Sequence, residues 1–351
     1  MRNTLFTGGH VRRDGKKISD KINGFFNPSA LPCLIALILF CTTDFSFAQT
    51  IRNIKGAPES RVSLSVGGGF WSGQSEEIVY QTSRSKIKLS QLLWDIDAVK
   101  EWGFSIDLSP NMPLNYSRFW GVFGINFGLD GNSGYMQDKD WAASQAKDPH
   151  IPYDGHMTNY SKHTNYVKES VSLDIIAGWN IPASGFSIKP YINFSYCYFN
   201  FIAKDGYKEY EKENWKHTEF HGIVCRFNQA FYSLSPALAF YFSTNSNFAF
   251  EPFLQAGYVF LYKSNDFHEL RLDKFEDTAD GGLKMDAGLK LIFLPFSKIG
   301  FNININYTYI SLVRGQTKHH NSATGEIKTV PNVAGASLSL FNTGLVMVIR
   351  F

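Results

Sequence analysis

The sequence predicts an all-β protein, a ten-stranded antiparallel transmembrane β-barrel with long extracellular loops and short periplasmic turns. Three observations predict it. Apolar and polar residues alternate with period two from residue 61 to the end, aromatic residues make up 16% of the chain, and short turns alternate with long polar connections. In Phe301-Asn302-Ile303-Asn304-Ile305-Asn306-Tyr307-Thr308-Tyr309 every odd residue is apolar and every even one polar. Leu283, Met285, Ala287, Leu289, Leu291 and Phe293 alternate with Lys284, Asp286, Gly288, Lys290 and Ile292. A soluble sandwich turns its apolar face inward and rarely needs so many aromatics. A barrel in lipid puts them outside, in girdles, and lines its interior with polar groups. The mean hydropathy of -0.17 is too polar for a helical membrane bundle.

The N-terminal segment explains how such a chain reaches a membrane. Leu31-Pro32-Cys33-Leu34-Ile35-Ala36-Leu37-Ile38-Leu39-Phe40-Cys41 is an apolar run shorter than the ~20 residues of a spanning helix. Basic residues precede it, and Ser46-Phe47-Ala48 supplies small residues at the -3 and -1 positions. Residues 1–48 therefore read as an N-terminal extension and secretory signal peptide cleaved after Ala48, and 49–351 as the barrel. Bulky Phe40 before Cys41 argues against a lipoprotein signal. Beyond Ala48 the acidic and basic residues balance at 28 each, which excludes a nucleic-acid-binding charge pattern.

The strands, in order, are 61–79, 87–109, 116–130, 160–179, 185–202, 221–243, 247–263, 282–294, 298–313 and 333–351. An even count places both termini on the periplasmic side. The connections 110–115, 181–184, 244–246 and 295–297 are turn-like; 131–159, 203–220, 264–281 and 314–332 are long. Ten strands enclose little free space, which disfavours a wide diffusion pore. The final strand sets Phe341, Leu345, Met347, Ile349 and Phe351 against Asn342, Gly344 and Arg350, and its terminal Phe resembles the assembly signal of bacterial outer-membrane proteins.

Cys197 and Cys225 are equidistant from residue 211, so they either face each other in a disulfide or remain two buried thiols. No CxxC or His/Cys cluster suggests a metal, and no Gly-rich phosphate loop suggests a nucleotide; no cofactor is expected. The chemistry lies elsewhere. Asp138-Lys139-Asp140-Trp141 and Asp266-Phe267-His268 each place two polar groups at i and i+2, on one face of an extended chain. The first pair follows strand three and the second strand seven, so they rise from nearly opposite walls. An Asp beside His favours the ring as a general base for water, and a facing carboxylate pair can hold that water. Even parity carries Asp138 and Asp140 inward. On strand seven the odd residues Ala249, Glu251, Gln255 and Gly257 point inward, so Asp266 and His268 require a bulge first.

At these residues the chain resembles the omptin family of outer-membrane endoproteases. The resemblance also includes Lys88-Leu89-Ser90-Gln91-Leu92-Leu93-Trp94-Asp95, residues 102–110, Gly134-Tyr135-Met136-Gln137 and Ser161-Lys162-His163. It implies a ten-stranded barrel whose outward-facing cleft hydrolyses polypeptides. Asp266 and His268 would activate water, facing the pair Asp138 and Asp140, in an aspartic-type endopeptidase. It implies cleavage at basic residues, with Glu77 the acid of the S1 pocket and Met136 an apolar wall. Ser264 departs from the pattern, since the family typically carries a second acid there, so relaxed selectivity is expected. The resemblance further implies lipopolysaccharide as a requirement for activity, with Arg226, on the outward parity of strand six, a candidate contact, and a monomer at the surface of a Gram-negative bacterium. The competing reading is a non-catalytic adhesin or surface scaffold whose long loops bind a partner, with a small-solute channel third.

Overall fold

In the computed structural model the described residues are 62–81, 87–108, 118–141, 156–245, 247–269, 272–296, 298–321 and 324–351. The signal segment, the Ala48 boundary and the turn at 110–115 lie outside them. Twelve antiparallel strand segments form one sheet: β1 (Val62–Tyr80), β2 (Lys88–Leu108), β3 (Arg118–Gly128), β4 (Gly131–Asp140), β5 (Asn159–Pro182), β6 (Phe186–Tyr210), β7 (Thr218–Ser243), β8 (Phe248–His268), β9 (Asp273–Asp280), β10 (Gly282–Phe293), β11 (Ile299–Asn321) and β12 (Glu326–Arg350). β1 pairs with both β2 and β12, so the sheet closes and leaves no edge. β3 and β4 both lie between β2 and β5, and β9 and β10 both lie between β8 and β11. The ring therefore has ten staves, two of them interrupted.

The described short connections gather at the end that holds both termini of the barrel. Phe351 N donates to Val62 O at 3.0 Å, Arg350 N to Lys298 O at 2.9 Å, and Leu294 N to Asn247 O at 2.7 Å. Above this end Leu64, Trp102, Ile175, Leu254, Leu283 and Leu345 expose apolar side chains outward, as a lipid-facing wall requires. The staves run far beyond that wall. β7 has 26 residues; at ~3.3 Å per residue and a tilt of ~40° a strand of that length rises on the order of 65 Å, against ~25 Å of apolar band. Most of the expected loop segments are accordingly strand: β4 occupies 131–140, β6 runs to Tyr210, β8 to His268 and β11 to Asn321. Above lipid both faces of a strand meet water, so apolar alternation fades while the ladder continues.

Just above the apolar wall several staves switch which parity faces inward. Asp97 and Ala98 on β2 (Ala98 φ 49°), Leu129 and Asp130 between β3 and β4, and Lys168 and Glu169 on β5 each place two consecutive residues outward. On β8 the register against β7 slips between Tyr232 and Ser233, which inserts Phe260 as an extra outward residue. A further shift at Gly134 (φ 89°) follows on β4, where any Cβ would strike Asp95.

The interior is layered. At the level of the apolar wall it is a polar-lined cavity of about 800 Å³ that holds two ion pairs: Lys284 Nζ lies 3.3 Å from Asp286 Oδ2 and Lys189 Nζ 2.5 Å from Glu251 Oε2. Above it the interior is not polar, contrary to the expectation. Trp94, fully buried, stacks on Phe201 and Phe227 at centroid distances of 5.4 and 5.2 Å, and Trp71, Phe199 and Phe231 complete an aromatic floor. A disulfide is excluded. Cys197 opposes Phe231 and Cys225 opposes Ala203, so both thiols are free. The hairpin turns at the 3-10 segment Glu211–Glu213 with Asn214 left-handed, and bulges near Lys204 shift the ladder further, which separates the cysteines by six rungs.

Candidate active site

The bulge at Phe260 decides what the upper part of β8 presents. Below it Gln255 and Val259 face inward; above it Tyr262, Ser264 and Asp266 do. The parity break that the sequence demanded is therefore present. His268 Nε2 lies 2.6 Å from Asp266 Oδ2. The other oxygen, Oδ1, accepts the Cys225 thiol at 2.8 Å, so the carboxylate is held from both sides. The Cys225 thiol is pushed well up by burial and by the carboxylates of Asp266, Glu77 and Asp138, which keeps it a donor. Phe275, directly across from Asp266 on β9, meets the imidazole edge-on at 5.7 Å. The donor atoms of Cys225, Asp266 and His268 lie within 4.8 Å of one another, close enough for one metal ion. A thiol must lose its proton to ligate, however, and here it is spent on Asp266.

Asp138 and Asp140 stand on β4, not on a loop. Two irregularities, at 129–130 and at Gly134, cancel in parity, so Asp138 points inward two residues above buried Met136. Ser90 Oγ donates to Asp138 Oδ1 at 3.3 Å and Asn159 Nδ2 to Asp140 Oδ2 at 3.1 Å. Ser161 opposes Asp138, and its hydroxyl donates to His163 Nε2 at 2.9 Å while Nδ1 donates to Asp205 O at 2.5 Å. Burial pushes His163 down, which keeps this histidine neutral. β4 and β8 stand four staves apart in a ring of ten, on nearly opposite walls.

Glu77, on the inward parity of β1, is 3% exposed. Burial and the nearby charges of Asp266, Asp277 and Asp138 push its carboxyl well above its ordinary range, so β1, β4, β8 and β9 direct carboxylates into one space. Ser264 faces the same space and is paired across the ladder with Asp277. Met136 packs beside Trp94 in the aromatic floor and is 2% exposed. Arg226 faces outward, as parity indicated, and its Nε donates to Glu269 Oε1 at 2.5 Å. It opposes Ile202 across the β6–β7 ladder.

A family model described as the Omptin family matches residues 58–351. The chain belongs to the omptin family. Among solved structures it is similar to the outer membrane protease OmpT from Escherichia coli, with a TM-score of 0.73, 17% identity, and coverage of 84% of this chain and 97% of that one. Two other barrels match with lower TM-scores. They are the transport unit of the autotransporter AIDA-I from Escherichia coli (TM-score 0.37, 11% identity, 90% and 98% covered) and the toluene transporter TodX of P. putida (0.30, 8%, 84% and 91%). No curated protein matches the chain in sequence. Omptins are proteases of the Gram-negative outer membrane that act on polypeptides there, and the closed all-β ring of this omptin agrees with that setting.

Two inward residues of this omptin escaped the sequence reading. From the sequence Cys225 reads as a disulfide half or a buried thiol and not as a partner of Asp266, because that bond depends on the register of β7 against β8. Asp277 lies in 264–281, which reads from the sequence as a long connection. It is 4% exposed and opposes Thr317 on one side and Ser264 on the other. Burial, reinforced by Asp266, pushes its carboxyl up to about 6.

Proposed function

We propose that this omptin is an aspartic-type endopeptidase of the bacterial surface in which Asp266 and His268 activate water against the facing pair Asp138 and Asp140. The observation that carries the reading is the 2.6 Å contact of His268 with Asp266, turned into the barrel by the bulge at Phe260. With Nε2–H given to Asp266, Nδ1 holds the ring's lone pair. His268 takes a proton from water, the oxygen adds to the peptide carbonyl, and the imidazolium returns the proton to the leaving nitrogen as the C–N bond breaks. Asp266 stabilises the imidazolium, and Asp138 and Asp140 hold the attacking water from the opposite wall. Glu77 receives a basic side chain at P1, above a floor that includes Met136. The mature chain begins at Gln49, the cleft opens to the exterior, and the barrel works as a monomer. Lipopolysaccharide supports activity through the outer wall near Arg226.

The test is cleavage of an internally quenched Arg-Arg peptide by protein refolded with lipopolysaccharide, run in ¹⁸O-water with hydroxylamine present. Direct water attack labels the new carboxyl and forms no hydroxamate. Hydroxamate would reveal an acyl-enzyme and contradict the mechanism. No cleavage of any peptide by folded protein would favour a surface-binding barrel.

A further inference from the structure

We infer that the lumen below the aromatic floor binds a short zwitterionic peptide, its carboxylate toward the end that holds both termini and its ammonium toward the floor. This site stands apart from the endopeptidase reading, because Trp71 and Phe231 of the floor close the lumen off from the cleft. Side chains ordinarily fill a barrel this narrow. Here one wall is built of Ser65, Gly67, Gly103, Ser105 and Gly124, and about 800 Å³ is left open. That is the size of a small-molecule site. The lining reaches Ser63 and Arg350, partners near the end of the β1–β12 ladder, so the space extends to the end that holds both termini.

The charges that line it are sorted by depth. Toward the termini stand Lys189, Lys290 and Arg350 with Asp107 and Glu251, three cations against two carboxylates. Lys290 lies directly across the ladder from Glu251, whose Oε2 is 2.5 Å from Lys189 Nζ, so two ammonium groups share one carboxylate. Beneath the floor stand Glu101, Asp174 and Asp286 with Lys284, three carboxylates against one cation. Lys284 lies 3.3 Å from Asp286, and Asn193 ties Asp174 to the same cluster. Asn193 Nδ2 donates to Asp174 Oδ1 at 2.9 Å and to Gln255 Oε1 at 3.4 Å, and Gln255 donates to Asp286. Glu101 accepts a hydrogen bond from Asn342 and has no Lys or Arg partner among the described residues. Charge at membrane depth is costly and marks a place where something is bound. An excess of positive charge at one end and of negative charge at the other complements a zwitterion. The separation sets its length: Lys290 and Asp286 are four residues apart on β10, about 13 Å at ~3.3 Å per residue. A free amino acid is too short for that span, whereas an extended tripeptide reaches roughly 10 Å and the lysine stem closes the rest. Trp120 and Tyr191, edge to face at 5.6 Å, give such a chain an aromatic wall.

The experiment is calorimetric titration of the full-length mature barrel, refolded in detergent micelles, with triglycine, N-acetyl-triglycine and triglycine amide. The parent binds triglycine at least ~10-fold more tightly than either blocked peptide, the scale of one hydrogen bond to a charged group. Lys290→Gln abolishes the preference over the amide and keeps that over the acetyl peptide, and Asp174→Asn does the reverse. That crossed pattern assigns the binding to the lumen, because both residues line it and neither lies in the cleft. No heat of binding with triglycine at ~10 mM, equal affinity for all three peptides, or equal losses on every peptide in both variants overturns the inference. Loss of the endopeptidase reading would leave it standing, since no cleavage is measured. If one variant does not fold, the other decides; if neither folds, the parent's discrimination among the three peptides decides.

Discussion

A pocket that holds unpaired carboxylates should weaken the barrel that carries it, and Asp277→Asn measures by how much. The sign follows from the groups around Asp277: Glu77 from β1, Asp266 and Ser264 from β8 and Thr317 from β11. Its carboxyl moves up from 3.8 to about 6 in the fold. The folded chain therefore binds this proton more tightly than the unfolded chain, and ionisation opposes folding. The penalty is absent near pH 4, grows as pH rises toward 6 and is complete above about 7. A shift of that size corresponds to about 3 kcal/mol at ~1.36 kcal/mol per unit, a ceiling because Glu77 and Asp266 readjust. Asn keeps the shape and removes the charge, so the variant is more stable than the parent by up to ~3 kcal/mol at pH 8 and equal to it near pH 4. Reversible urea unfolding in detergent micelles, followed by Trp fluorescence at the two pH values, reads this difference. A variant less stable at pH 8, or equally shifted at both values, would refute the assignment of Asp277 as an uncompensated buried carboxylate.

Other consequences can be checked separately. Cys225→Ala removes one of the two groups holding Asp266 and lowers kcat by roughly 10-fold with KM little changed, whereas Cys225→Ser keeps a donor and recovers most of the rate; equal rates in both variants would remove Cys225 as a positioning residue. Neither thiol reacts with an aromatic disulfide reagent in the folded barrel, and both titrate after denaturation without reductant; a faster band on a non-reducing gel would contradict the register of β6 against β7. Trp94→Ala opens a cavity between Phe201 and Phe227 and destabilises the barrel by about 3–5 kcal/mol, read as a lower urea midpoint. Arg226→Ala raises the lipopolysaccharide concentration needed for half-maximal activity without changing the plateau; an unchanged dependence would place the lipid contact elsewhere.

The membrane-level fold was legible because lipid on one side and polar groups on the other enforce a strict period of two, as in 301–309. The same physics hid the rest. Above the lipid both faces of a stave are wetted, so 131–140 and 273–280 read as loops although they continue the ladder. Bulges leave no periodic trace of their own: the sequence calls for one before Asp266 only if Asp266 and His268 face inward, and its position at Phe260 comes from the β7–β8 register. Asp138 keeps the parity that simple alternation gives it only because two shifts, at 129–130 and at Gly134, cancel. The sequence leaves the choice between a disulfide and two buried thiols open for the complementary reason, since a hairpin's centre cannot be located when bulges near Lys204 move the ladder. Asp277 and the aromatic floor are products of cross-strand neighbours, which no linear pattern records.

The central claim is that Asp266 and His268 activate water for peptide hydrolysis, and one comparison tests it most directly. Parent and His268→Ala, both refolded with lipopolysaccharide and both showing the heat-modifiable gel shift of a folded barrel, are assayed on the quenched Arg-Arg peptide. The structure predicts cleavage by the parent and a loss of at least ~100-fold in the variant, the usual cost of removing a general base. Cleavage by folded His268→Ala at the parent's rate would contradict it.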